Sequence, residues 1–400
     1  MIREVAKLGD IATFIRGITF KPDDVVPSGT PGSVQCMRTK NVQAEIDLSD
    51  VWSVDSRFVK RTEQYLQAGD LLVSSANSWN LVGKCCWVPE AASGSTFGGF
   101  ISVLRPDRER VDPRYLYRWF ASDRIQATVR SFGRQTTNIS NLDFARCLSL
   151  PIALPSLKEQ QRIAQVLDHA AAVRAKRREA IALLDDLTQS VFIDMFGDPS
   201  RNPYGWPARK MQDLLDGSLR NGLSPATGGT VQAKVLTLSA ITGKRFDATA
   251  FKVSGFKSTP PREQSVCSAD FLICRGNGNS GLVGRGHFPP FDMPDVTYPD
   301  TIISLRPSSL LRPGYLQCVW NSGLVRRQID SSARTTNGTF KINQKGIESV
   351  SIPVPPLDLQ ELFESRIAPI TDLQKTQASH LAELDSLFAS LQHRAFRGEL

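Results

Sequence analysis

The sequence predicts an α+β protein built twice over, with two similar mixed domains each followed by a long helix. Three observations predict it. The second half repeats the order of the first at an offset close to 200 residues. Within each half, short β-branched apolar runs are interspersed with amphipathic stretches. Each half then closes on a long stretch patterned in heptads.

The duplication is read from matches in common order. Gly69-Asp70-Leu71-Leu72-Val73 answers Ala269-Asp270-Phe271-Leu272-Ile273, and Leu81-Val82-Gly83 answers Leu282-Val283-Gly284. Leu104-Arg105-Pro106 answers Leu305-Arg306-Pro307, and Pro113-Arg114-Tyr115-Leu116 answers Pro313-Gly314-Tyr315-Leu316. Thr136-Thr137-Asn138 answers Thr335-Thr336-Asn337, and Pro155 and Leu157 answer Pro355 and Leu357. The period is too long for a solenoid, so one domain has been duplicated once.

In chain order, residues 1–154 form the first mixed domain. Val34 to Met37 and residues 70–74 read as buried strands, and residues 115–130 as an amphipathic helix. Gly and Pro punctuate the rest as loops. Residues 155–198 form the first long helix. Ser156-Leu157-Lys158-Glu159 is a capping box, and no Pro or Gly occurs after it until Gly197. About 40 helical residues span ~60 Å. Residues 199–354 repeat the mixed domain, with a strand at 271–274 and a helix at 315–331. Residues 355–400 repeat the helix, with Asp358 to Glu361 at its cap and a kink or a late start expected at Pro369.

Both helices carry heptads in the same register. Ile163, Ala170, Leu184 and Val191 recur at sevens with Arg177 interrupting, and Val166, Val173, Ala180 and Leu187 form a second seam. Phe363, Ile370, Leu384 and Leu391 recur with Gln377 interrupting. Leu373 and Leu387 support the second seam there, while Arg366, His380 and Arg394 weaken it. A repeat held this long argues for a coiled coil, and stiff helices can hold two domains at a fixed separation.

Composition narrows the chemistry. Formal net charge is +8, which suits a polyanion, because each phosphate contact releases counterions. Seven cysteines and four histidines are scattered, with no C-x-x-C pair and no clustered ligands, so no metal site is expected and a reducing cytoplasm is. Met1 to Asp10 has no apolar signal core, and no apolar run is long enough to span a membrane.

Several motifs together resemble the specificity subunit of type I restriction–modification systems. They are Lys7-Leu8-Gly9-Asp10-Ile11, Thr136-Thr137-Asn138-Ile139, and Leu154-Pro155-Ser156-Leu157-Lys158-Glu159-Gln160-Gln161-Arg162-Ile163. Met195-Phe196-Gly197-Asp198-Pro199, Asn202-Pro203-Tyr204-Gly205-Trp206 and Ala395-Phe396-Arg397-Gly398-Glu399-Leu400 complete the set. The resemblance implies two target-recognition domains, each reading one half of a split asymmetric DNA target. It implies that the long helices pair as an antiparallel coiled coil, set the spacer and dock two methylation subunits. Those partners would bind S-adenosylmethionine and methylate adenine, and ATP-driven restriction subunits would join them. This chain itself would carry no cofactor and no catalytic centre. The second half departs from the pattern, since Gly338 and Thr339 separate Asn337 from the apolar Phe340.

On that reading, the candidate DNA contacts in the first half are Arg38, Lys40, Asn41, Asn77, Trp79, Lys84, Arg134, Gln135 and Asn138. In the second half they are Arg275, Asn277, Asn279, Arg285, Arg334, Asn337 and Lys341. Arg suits guanine and Asn suits adenine, while basic side chains clamp phosphates without reading sequence. Arg130, Arg326 and Arg327 belong with the clamps or with a solvated basic face. Lys176-Arg177-Arg178 reads as solvated or partner-facing.

Three enzymatic motifs fail on inspection. Gly276-Asn277-Gly278-Asn279-Ser280-Gly281 fits G-x-G-x-x-G, but Leu282 to Gly286 and then Pro289-Pro290 do not continue it as a helix. Phe288-Pro289-Pro290-Phe291 lacks the polar first residue an amino-methyltransferase needs. No P-loop sequence is present. Two other classes remain open: a stand-alone or fused methyltransferase or nuclease, which needs a cofactor or metal constellation, and a coiled-coil scaffold that binds no DNA.

Overall fold

The computed structural model describes residues 4–135, 139–336 and 338–400, with the backbone alone at 134, 135, 335 and 336. The chain is mixed helix and strand. It divides into two compact units, Met1–Arg178 with Ser379–Leu400, and Glu179–Ala378. The first long helix, Leu157–Phe196, and the second, Leu357–Arg397, each contribute one part to each unit.

In the first unit a four-stranded antiparallel sheet runs in the order Ala12–Arg16, Ile101–Pro106, Leu71–Ser74, Cys85–Trp87. The Leu71–Ser74 strand is buried on both faces, which explains its unbroken apolar run. Alternate residues serve different cores. Leu71 and Val73 face Tyr115, Leu116, Ile163 and Leu167, with Phe388 and Ala395 in the same cluster. Leu72 faces Met37, Phe97 and Val103. The second core lies against a sheet ordered Val25–Val26, Trp52–Asp55, Ser33–Met37, Thr96–Phe97, the last pair being parallel. A small ribbon joins Arg134–Gln135, Ser140–Asn141 and Ala76–Asn77. Arg174 of the first long helix pairs with Asp385 of the second at 2.5 Å and lies over the Phe388 ring.

The second unit repeats this design. Its first sheet runs Arg220–Asn221, Ile302–Leu305, Phe271–Cys274, Gly286–His287. Phe271 and Ile273 face Phe192, Tyr315 and Phe363, whereas Leu272 and Cys274 face Leu236, Val296 and Ile302. The second sheet runs Phe251–Phe256, Val231–Leu236, Met293–Thr297, Ser265–Val266, again with one parallel pair. A ribbon joins Gly276–Asn277, Thr339–Lys341 and Arg334–Thr336.

Polar clamps are duplicated as well. Buried Gln160 accepts from Asp112 N at 2.8 Å and donates to Arg110 O and Pro155 O. Buried Gln360 accepts from Arg312 N at 2.9 Å and donates to Leu310 O and Pro355 O. Each glutamine thus ties the start of a long helix to the loop before a shorter one, and leaves no amide atom orphaned. Tyr115 donates to Ala153 O and Tyr315 to Pro353 O. Asp70, almost fully buried, takes a two-pronged contact from Arg105 at 2.8 and 2.7 Å. Asp270 is equally buried and takes Arg220 at 2.6 Å and Arg306 at 2.8 Å.

Three expectations need correction. The single amphipathic helix expected in each half is two, Pro113–Phe120 and Asp123–Ser131, then Pro313–Trp320 and Gly323–Ser332. Ser122 and Ser322 break them with extended backbone, ψ 144° and 164°. Of the kink or late start expected at Pro369, the late start does not occur: the second long helix begins at Leu357 and carries Pro369 inside it. Edge-to-face contacts of Phe363 with Phe192 and Phe196, at 5.7 and 5.4 Å, help hold the turns before the proline. Asp358 lies within the first turn rather than before it, where its carboxylate accepts from Leu359 N at 2.8 Å while Pro356 O accepts from Gln360 N at 3.2 Å. At the first helix Ser156 Oγ does accept from Glu159 N, at 3.4 Å.

Candidate nucleic-acid interface

In the first unit the site is built from two loops that leave buried strands. One is residues 38–43, after the Ser33–Met37 strand. The other is the 74–84 turn after Leu71–Ser74. Between them lies a cleft of about 260 Å³ lined by Thr39, Lys40, Gln43, Ser74, Asn77 and Lys84.

Asn41 organises the first loop. It is fully buried, accepts from Arg38 N at 2.7 Å, and donates to Asp47 O at 2.7 Å and Asp50 O at 2.9 Å. Its amide is thus engaged within the loop itself. Arg38 lies 4.0 Å over the Trp52 ring and pairs with Asp50 at 2.9 Å. Lys40 reaches the other oxygen of Asp50 at 2.5 Å. Lys40 first and Arg38 second hold the Asp50 carboxyl below its usual range. Lys40, which lines the cleft, is thereby held with its side chain largely in solvent, whereas Arg38 is mostly covered.

The second loop supplies Asn77, Trp79 and Lys84. Asn77 donates to Ser74 Oγ at 3.1 Å and accepts from Ser78 N at 2.8 Å. Trp79 is exposed. Lys84 Nζ crosses the cleft to Gln43 Oε1 at 2.7 Å. Ser140 pairs with Asn77 and, on its other side, with Gln135, which brings the 134–135 strand beside the same loop. Of Arg134 and Gln135 only the backbone is described, and Asn138 lies outside the described residues.

The second unit sets out the same parts differently. Arg285, the counterpart of Lys84, donates to Thr242 O at 2.8 Å and Gly281 O at 3.3 Å. Asn277 accepts from Asn279 N, and Asn279 accepts from Gly281 N at 3.0 Å, so both side chains shape the glycine-rich turn. That turn ends in a single 3-10 turn, Ser280–Leu282, and opens no helix. Arg275 is half-buried and donates to Asp300 O at 3.1 Å. Arg334 and Lys341 are exposed and face each other across the ribbon that also holds Asn277. Asn337 lies outside the described residues.

Two groups escaped sequence reasoning. Gln43 lies just past the Arg38 to Asn41 motif, and only the fold sets it against Lys84. In the second unit a cleft of about 1040 Å³ is lined by Asp185, Arg245, Arg285, His287 and Gln374 among others. Asp185 receives Arg245 and, at 3.1 Å, Gln374 Nε2. No local pattern could mark Arg245, because its partner lies 60 positions away. Among the described residues, no group of three or more His, Cys, Asp or Glu side chains could hold a metal ion. No described helix is long and apolar enough to cross a membrane.

Residues 3–181 match the family model described as type I restriction modification DNA specificity domain. The chain is 25% identical to the type I restriction enzyme EcoKI specificity subunit of Escherichia coli (strain K12), covering 99% of this chain and 89% of that one. It is 26% identical to the StySPI specificity subunit of Salmonella potsdam, covering 99% and 88%. A crystal structure of a type I restriction–modification system S subunit from M. genitalium superposes with a TM-score of 0.53, over 99% of this chain and 96% of that one. Its 13% identity speaks to the fold alone. The resemblance carried by the sequence motifs is thus shown, and it extends over nearly the whole chain.

Proposed function

We propose that this chain, similar along its length to type I specificity subunits, is the DNA sequence-specificity subunit of a type I restriction–modification complex. Its two target-recognition domains, residues 1–154 and 199–354, read the two halves of a bipartite asymmetric target. Residues 155–198 and 355–400 pair as an antiparallel coiled coil that sets the spacer and docks two methylation subunits. Those partners bind S-adenosylmethionine and methylate adenine, ATP-dependent restriction subunits cleave, and the complex works in the cytoplasm. This chain directs the chemistry without performing it.

One observation carries the reading. Each unit presents two loops bridged by a basic side chain, Lys84 to Gln43 and Arg285 to Thr242, on a matching scaffold of strands. The clamps Gln160 and Gln360, Tyr115 and Tyr315, and Asp70 and Asp270 repeat, as does Leu-Val-Gly at the turn, while bridging residues such as Lys84 and Arg285, and Gln43 and Thr242, differ. Two readers of unlike sequences need that division, because specificity resides in base-edge contacts and a common fold can present different ones.

The test is to co-express the chain with the methyltransferase encoded beside it and to map methylated adenines. A split motif with a constant spacer is expected. Methylation that does not depend on this chain, or that the chain performs alone, would overturn the reading.

A further inference from the structure

The cleft in the first unit holds a carboxamide whose hydrogen-bonding capacity is half used and fixed in direction. Gln43 is exposed. Its Oε1 accepts from Lys84 Nζ at 2.7 Å, and its Nε2 donates to Lys40 O at 2.8 Å. An ammonium can only donate and a carbonyl can only accept, so these partners set which end of the amide is oxygen and which is nitrogen. One N–H and one oxygen lone pair remain, on one planar group at the rim of a cleft of about 260 Å³.

A donor and an acceptor held on one plane complement one base in particular. In the major groove adenine offers N7 as acceptor and its N6 amine as donor, whereas guanine offers two acceptors there and cytosine a donor alone. We propose that Gln43 is a specificity-determining residue that reads an adenine in the half-target of the first unit, with Lys84 and the Lys40 carbonyl as its positioning groups. The inference rests on the DNA-reading role proposed above. In the second unit Thr242 stands at the corresponding place, and Arg285 binds its backbone oxygen at 2.8 Å, so no amide is offered there. Gln43 therefore acts on one half-target only.

The experiment maps the methylated motif for complexes containing the unaltered chain, Gln43→Ala or Gln43→Glu. With Gln43→Ala, discrimination at one adenine of one half-target falls by about tenfold or more, and the other half-target is unchanged. Gln43→Glu leaves acceptors only, so preference at that position moves toward cytosine, whose N4 amine donates. A merely structural residue would not move preference from one base to another. Thermal unfolding of both variants should match the unaltered chain, because the side chain is exposed. An unchanged motif in both variants, equal relaxation of both half-targets, or relaxation at a base other than adenine would each overturn the proposal. If the unaltered chain directs no motif, the specificity-subunit reading falls, and this inference with it.

Discussion

His287 has both ring nitrogens engaged, Nε2 donating to Gly243 O at 3.0 Å and Nδ1 accepting from Gln317 Nε2 at 3.2 Å. Only the neutral ring satisfies both partners. Burial first, with Arg285 adding to it, holds the imidazole below its usual value of 6.5, against the opposing hydrogen bond to Gly243. Below about pH 6.5 the unfolded chain takes up a proton that the folded chain refuses, so stability is full above that value and falls as the pH drops. Unfolding temperatures measured from about pH 7.5 to 5.5 should therefore fall more steeply for the unaltered chain than for His287→Gln. Equal slopes would show that this ring does not sense pH. Asp70 and Asp270 illustrate the same scale with a different chemistry. Each is buried against arginine, and removing either carboxylate would strand a partly buried guanidinium.

At the scale of elements, the repeated Leu-Val-Gly is explained by its glycine. Gly83 and Gly284 have φ of 81° and 80°, in the left-handed region. A β-carbon at Gly83 would also collide with Val129, and one at Gly284 with Ile329. Both neighbours sit on the second short helix of their unit, Asp123–Ser131 or Gly323–Ser332. The tight turn therefore lets that helix pack against the loop of the candidate interface. Gly83→Ala and Gly284→Ala should each lower stability by about 2 kcal/mol or more, combining backbone strain with overpacking. Denaturant titration would check this, and a change within about 0.5 kcal/mol would mean that the helix yields at little cost. Gln160 and Gln360 matter at the same scale, since each fixes where a long helix begins.

For the whole molecule, the proposed role makes the long helices a measuring device. Inserting one heptad after Ala175, with a matching heptad in the second helix, should lengthen the unspecified spacer of the methylated motif and leave both half-targets unchanged. A heptad restores the helical face, so packing is preserved while length grows by about 10 Å, or roughly three base-pair steps. An unchanged spacer in the mapped motif would remove that role from the helices. The same design accounts for the clustering of candidate contacts in loops. Strands such as Leu71–Ser74 and Phe271–Cys274 are buried on both faces and present nothing to a ligand.

The sequence by itself determined the duplication, the paired strands at 71–74 and 271–274, and the extent of the first long helix, because these are local patterns of burial and capping that repeat in register. It also marked most of the basic and amide residues that line the loops. Tertiary structure decided which partners each of them bonds. Asn41 and Gln43 stand two positions apart, yet one is buried and holds its loop while the other faces solvent with donor and acceptor to spare. Their partners, Asp50 and Lys84, come from elsewhere in the chain. Residue type declares what a side chain can bond. Only the fold decides which of those bonds are already made.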